Sequence, residues 1–128
     1  MLNYIAVAIG GALGALLRSI VYEYFAETGN VHLFPLPTLI VNIVGSILMG
    51  IGWFCLIEQS MLPAIWKNFA LTGMLGALTT FSTFSLDSFR LLQSGQLLEA
   101  LAYVLISVTV CFLGLWLGYQ TVKWLVGA

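Results

Sequence analysis

Gly73-Met74-Leu75-Gly76-Ala77-Leu78-Thr79-Thr80-Phe81-Ser82-Thr83-Phe84 lies inside a long apolar run, yet it holds two glycines and four hydroxyl residues. Gly73 and Gly76 weaken a helix at a depth where lipid offers the backbone no replacement hydrogen bonds. Non-helical backbone survives there only when it is buried in protein or lines a polar cavity. The stretch therefore predicts a helix broken near its centre, holding something polar inside a membrane.

The rest of the chain agrees with a membrane setting. Of 128 residues, 61% are hydrophobic and only 7% charged, and the mean hydropathy is +1.06. Soluble domains carry about a quarter charged residues, so this inventory cannot build a surface that faces water. Four apolar stretches, about 2–22, 38–57, 64–92 and 97–126, each approach the ~20 residues that cross a bilayer core. The expectation is an all-α integral membrane protein of one domain, 1–128, with four transmembrane helices, the third broken. Arg18 interrupts the first stretch and no basic segment precedes it, so a cleaved signal peptide is not expected. Pro35 and Pro37 suit the start of the second helix, and Ser94-Gly95-Gln96 suits a turn.

Several function classes are excluded by what is scarce. Four basic residues cannot make a nucleic-acid patch. His32 is the only histidine and the five acids stand mostly at segment ends, so no metal cluster or catalytic pair is spaced for enzyme chemistry. Cys55 and Cys111 sit in separate apolar stretches and read as small buried hydrophobes.

Charge also bears on orientation. An even number of spans puts both termini on one side, where Lys67 and Lys123 fall; Arg18 and Arg90 fall on the other. Orientation follows an excess of Lys and Arg in cytoplasmic loops, and here neither side has one. Insertion in both directions, and assembly as an antiparallel dimer, follows naturally. Trp53, Trp66, Trp116 and Trp124 gather toward the terminal side, and an inverted pair supplies tryptophan to both interfaces. Gly10/Gly14, Ser46/Gly50 and Gly114/Gly118 have the spacing of close helix packing in lipid.

The polar residues inside the spans are the candidate site. Arg18 sits about 24 Å along the first helix at 1.5 Å per residue, where it either snorkels to the interface or concentrates anions at a pore mouth. Asn42 must find a partner; it either cross-links helices or offers its amide to a passing anion. Tyr103, Ser107 and Cys111 recur every fourth residue and share a face. Phe81 and Phe84 alternate with Thr80, Ser82 and Thr83, and the positive edge of an aromatic ring attracts an anion without a fixed charge. Donors of this kind suit a small hydrated anion that must bind and still leave. Carbonyls freed near Gly76 and Thr79 equally suit a hard cation, so the residues alone leave the sign of the ion open.

Three motifs resemble the small bacterial fluoride channels of the Fluc or CrcB family. They are Gly10-Gly11-Ala12-Leu13-Gly14-Ala15-Leu16-Leu17-Arg18, Asn42-Ile43-Val44-Gly45-Ser46, and Gly76 through Phe84. The resemblance implies a multi-pass protein of the bacterial inner membrane, an antiparallel dual-topology homodimer with two pores that let cytoplasmic fluoride escape. It implies that Phe81 and Phe84 present ring edges to fluoride, and that Asn42, Thr83, Tyr103 and Ser107 line the path with Arg18 near its mouth. Gly76 and Thr79 then give carbonyls from both subunits to one structural Na⁺, and Asp87 falls where an acid, often glutamate, stands. Ser19, Ala77, Cys111 and Leu115 depart from the common pattern. The competing reading is a small dual-topology drug/proton exchanger, which requires a carboxylate deep in a span; the first span has none before Glu23.

Overall fold

The computed structural model describes residues 1–27 and 34–127; His32 lies outside them. Among the described residues the chain is helical throughout, and four helical spans are long and apolar enough to cross a membrane. Helix α1 runs Leu2–Glu27, five residues beyond the expected end, and α2 runs Leu36–Glu58. The third span, Ala64–Gln93, divides into α3 (64–78) and α4, Phe81–Gln93. Helix α5 is Leu97–Val126.

Local chemistry explains the ends. Pro35 caps α2 and Pro37 lies in its first turn, where a missing N–H costs nothing and the fixed φ already suits a helix. Gly95 adopts φ 75°, and Gln96 N–H reaches back to Leu91 O at 3.0 Å, closing α4 with the left-handed cap that glycine permits. The last turn of α2 (Trp53–Glu58) and the stretch Asn68–Leu75 of α3 are wound as wider π-helix.

Packing is pairwise. Helix α1 lies mainly on α3, and α2 mainly on α5. Both pairs approach to backbone contact at glycines. A Cβ on Gly10 would strike Phe69 O, one on Gly14 would strike Met74 O, and one on Gly73 would stand 2.7 Å from Val7 O. On the other side Gly50 meets Leu115 O and Gly118 meets Ile47 O. In lipid the hydrophobic effect does not drive helices together, so close dispersion contact is what holds them.

Two apolar cores result. Val41, Leu71, Leu75 and Leu78 form one, while Leu39, Leu91, Ala100 and Tyr103 form the other. Outside them large apolar side chains face outward along every helix, from Leu2 to Leu125, as a lipid-facing surface requires.

The break has a different cause from the one its glycines suggest. Gly73 and Gly76 are both helical; Gly73 is there to admit α1. The chain leaves the helix at Thr79 (φ −77°, ψ 154°) and Thr80 (φ −150°, ψ 118°), and Thr80 caps the helix that follows.

Gly14→Val should overpack the α1–α3 contact and destabilise the protein by about 1–3 kcal/mol. Gly11→Ala, whose Cβ would meet nothing within 4 Å, should keep stability or raise it by up to about 1 kcal/mol. Thermal unfolding in detergent separates the two; equal midpoints for both variants would refute the packing account.

Candidate functional site

The break is held by one side chain. Asn42, in the second turn of α2, accepts from Thr80 N–H through Oδ1 at 2.8 Å and donates from Nδ2 to Thr80 O at 3.1 Å. The backbone of Thr80 thus fixes which way the amide faces. Thr80 Oγ1 in turn accepts from Thr83 N–H at 3.2 Å and donates to Thr83 Oγ1 at 3.0 Å, the usual work of an N-cap hydroxyl. Thr79 remains tied to the preceding turn, its N–H and its hydroxyl both donating to Leu75 O at 3.0 Å.

These bonds redirect donors from two carbonyls. Thr80 N–H would ordinarily bond Gly76 O, and Thr83 N–H would bond Thr79 O; both turn elsewhere. Gly76 and Thr79, the residues expected to hold a hard cation, are two of the four positions, 76–79, from whose carbonyls the break withdraws the helical donors. Neutral oxygen ligands of this kind fit Na⁺, which needs no thiolate, imidazole or carboxylate. Among the described residues no cluster of His, Cys, Asp and Glu is built for a metal.

Beside the break lies a cleft of about 290 Å³ between α2, the Thr79–Phe84 segment and α5. Asn42, Gly45, Ser46 and Met49 line it from α2, and Ser107, Val108, Cys111 and Leu115 from α5; Thr79, Thr80, Phe81 and Phe84 close the third side. Rings continue past its end as a column. Phe81 and Phe84 stand 5.5 Å apart, Phe84 and Tyr103 5.4 Å, and Tyr103 meets Phe34 edge-on at 5.5 Å.

The hydroxyls of this region are poorly satisfied. Ser107 is 5% exposed, and its Oγ has no hydrogen-bond partner among the described residues. Tyr103 is fully buried; its hydroxyl faces Thr38 and Asp87 but misses hydrogen-bond geometry to either. Those two are engaged with each other, Thr38 Oγ1 donating to Asp87 Oδ2 at 2.6 Å while Tyr22 bonds Thr38 at 2.7 Å. A buried hydroxyl without a partner costs about 1–3 kcal/mol, so such groups mark places that await something polar.

Of the residues singled out from sequence, Asn42, Thr79, Phe81, Phe84 and Ser107 share the cleft. Thr83 supports its wall through Thr80, and Tyr103 packs behind Phe84. Arg18, half-exposed on α1, does not line it. Asp87 is marked in the sequence only by the family resemblance; Met49 and the link from Asp87 through Thr38 to Tyr22 carry no sequence signal, because each depends on which helices become neighbours.

This is a multi-pass α-helical membrane protein whose helix break borders a largely apolar cleft carrying an amide and several hydroxyls. The profile of the family described as CrcB-like protein, Camphor Resistance (CrcB) matches residues 5–119. A fluoride-specific ion channel FluC of Shewanella halifaxensis is 45% identical over 122 residues, covering 95% of this chain and 97% of that one. Those of Saccharophagus degradans and Geobacter metallireducens are 44% and 40% identical, covering 86% and 96% of this chain and 81% and 98% of theirs. The chain belongs to the CrcB family.

Asn42→Leu should release the break. Hydrogen exchange at the Thr80 amide should then speed by about tenfold or more, as expected for losing a bond worth ~1.5 kcal/mol. Unchanged exchange would show that the break is held by something other than Asn42.

Proposed function

We propose that this chain is a passive, fluoride-selective channel of the bacterial inner membrane, and that the cleft is half of its pore. The single observation that carries the reading is the buried, unpartnered hydroxyl of Ser107, in a cleft with the Asn42 amide and the rings of Phe81 and Phe84. The relatives that bear the name fluoride-specific ion channel support the choice of ion.

The chemistry is permeation. Fluoride is small, strongly hydrated and a strong hydrogen-bond acceptor. It leaves its water only where donors replace the shell, and it moves on only if no single site is too strong. O–H donors and ring edges meet both needs; a fixed lysine or arginine in the cleft would hold the ion. Phe81 and Phe84 present aromatic hydrogens, Ser107 and then Tyr103 present hydroxyls, and Asn42 retains a second amide hydrogen beyond the one given to Thr80. A negative-inside potential supplies about 2.3 kcal/mol per charge per 100 mV for outward movement, so no coupling carboxylate is required. That distinguishes this reading from a drug/proton exchanger.

A second copy, inverted in the membrane, completes the pore. Phe81 is 79% exposed in the single chain, an aromatic ring at a functional cleft with one side uncovered. An antiparallel partner covers it and lends its own segment, giving two pores per dimer. At the two-fold axis, Gly76 and Thr79 carbonyls from both copies hold one Na⁺, whose charge offsets the converging carbonyl dipoles.

Purified protein in liposomes should release fluoride rapidly and retain chloride, and Phe81→Ala or Ser107→Ala should cut fluoride release by at least about tenfold, the scale of one lost charge-assisted hydrogen bond. Equal release of chloride would overturn the selectivity. For the cation, exchange of Na⁺ for N-methylglucamine during purification should lower dimer stability and fluoride flux together, with Na⁺ restoring both. Indifference to Na⁺ would remove it from the assembly.

A further inference from the structure

The α5 side of the cleft has a periodic sequence. Tyr103, Ser107, Cys111, Leu115, Tyr119 and Lys123 recur every fourth residue, and their donor strength falls to nothing at Leu115. Phenol and hydroxyl are good donors and a thiol is a weak one; Leu115 has none, and the phenol of Tyr119 is already given to Glu58. A second cleft of about 330 Å³ begins where the first ends, lined by Met49, Trp53, Glu58, Leu115, Trp116 and Tyr119. The two clefts have only Met49 and Leu115 in common. Beyond them, Tyr119 donates to the Glu58 carboxylate at 2.8 and 3.1 Å, and Lys123 lies 5.6 Å from the Tyr119 ring centre.

We propose that Met49 and Leu115 form an apolar neck between the pore cleft and this outer chamber, and that the neck sets the rate of ion passage. The proposal rests on the channel reading above. An anion crossing the neck meets a thioether and methyl groups in place of donors, so it must carry water through or shed it uncompensated. Apolar constrictions of this kind control conduction by excluding water.

The width of the neck is set by side chains and not by helix movement. Gly50, next to Met49, is pressed on the Leu115 carbonyl, and Gly118 on that of Ile47. The two backbones are thus in contact at Leu115 and again at Gly118, where neither helix can shift without losing that packing. Met49, an unbranched side chain with three rotatable bonds, is the part that can swing clear.

Cys111 reports on the neck, because it lies one turn inward of Leu115 and lines the pore cleft. In a Cys55→Ser background, reconstituted protein is treated on both sides of the vesicle with a small, membrane-impermeant methanethiosulfonate. Cys111 should react slowly with Leu115 in place and at least about tenfold faster in Leu115→Ala, as expected when an apolar barrier is removed. Met49→Ala should give the same acceleration from the facing helix, and Leu115→Met should not. Leu115→Ser should raise fluoride efflux severalfold while chloride stays inside. Equal Cys111 labelling with and without the Leu115 side chain would overturn the neck. Labelling needs no fluoride conduction, so failure of the channel reading would show separately, as absent efflux from the unaltered protein.

Discussion

The paired hydrogen bonds between Asn42 and the Thr80 backbone are the constraint on which the site depends. A helix interrupted in a bilayer exposes peptide groups that lipid cannot solvate, and each costs several kcal/mol unless satisfied. Asn42 gives an acceptor to the Thr80 N–H, which has left the helix before it, and a donor to the carbonyl that opens the helix after it. The Thr80 hydroxyl then starts the next helix, and the Thr79 hydroxyl stays with the last one. Three side chains stabilise a two-residue gap. Through that gap the chain gains a bend that brings Phe81 and Phe84 to the cleft.

A second theme is how little charge the site uses. Its lining holds an amide, hydroxyls, rings, one thiol and aliphatic side chains but no charged group, while the carboxylate of Asp87 is occupied by Thr38. Charged side chains are expensive within a bilayer, and they bind a counter-ion too firmly for rapid release. Partial charges fixed by backbone and helix packing avoid both difficulties. They also account for the abundance of small residues at helix contacts: shallow, directional interactions act only when the donors are held rigidly, and backbone contact at Gly10, Gly14, Gly50 and Gly118 supplies that rigidity.

Much of this could be read from the chain itself. The four apolar runs gave the spans, and hydroxyls amid apolar residues gave the break to within a few residues. The glycines misled, because a glycine in a membrane helix has two uses. At Gly73 the use is proximity to α1, with backbone torsions that any residue adopts. Thr79 and Thr80 carry the extended conformation, and nothing local distinguishes them from the threonines of a regular helix; the distinction comes from Asn42, 38 residues away. Arg18 stood out as a charge in a span, yet its helix packs on α3 and away from the cleft. Met49 drew no notice for the opposite reason. An apolar residue in an apolar helix acquires meaning only from its neighbour across the gap.

Helix α1 rests on α3 far more than on α2, and this order of contacts bears on how the protein is made. At about 5–20 residues per second, the ribosome needs roughly 3–10 s to pass from the end of α1 to the end of α3. During that interval α1 is in the lipid without its docking surface, carrying Arg18 and a row of bare glycine backbone. Its own hydrophobicity must hold it there. The apolar side chains that face outward in the finished fold are thus what keep the first helix in place while its partner is still being synthesised.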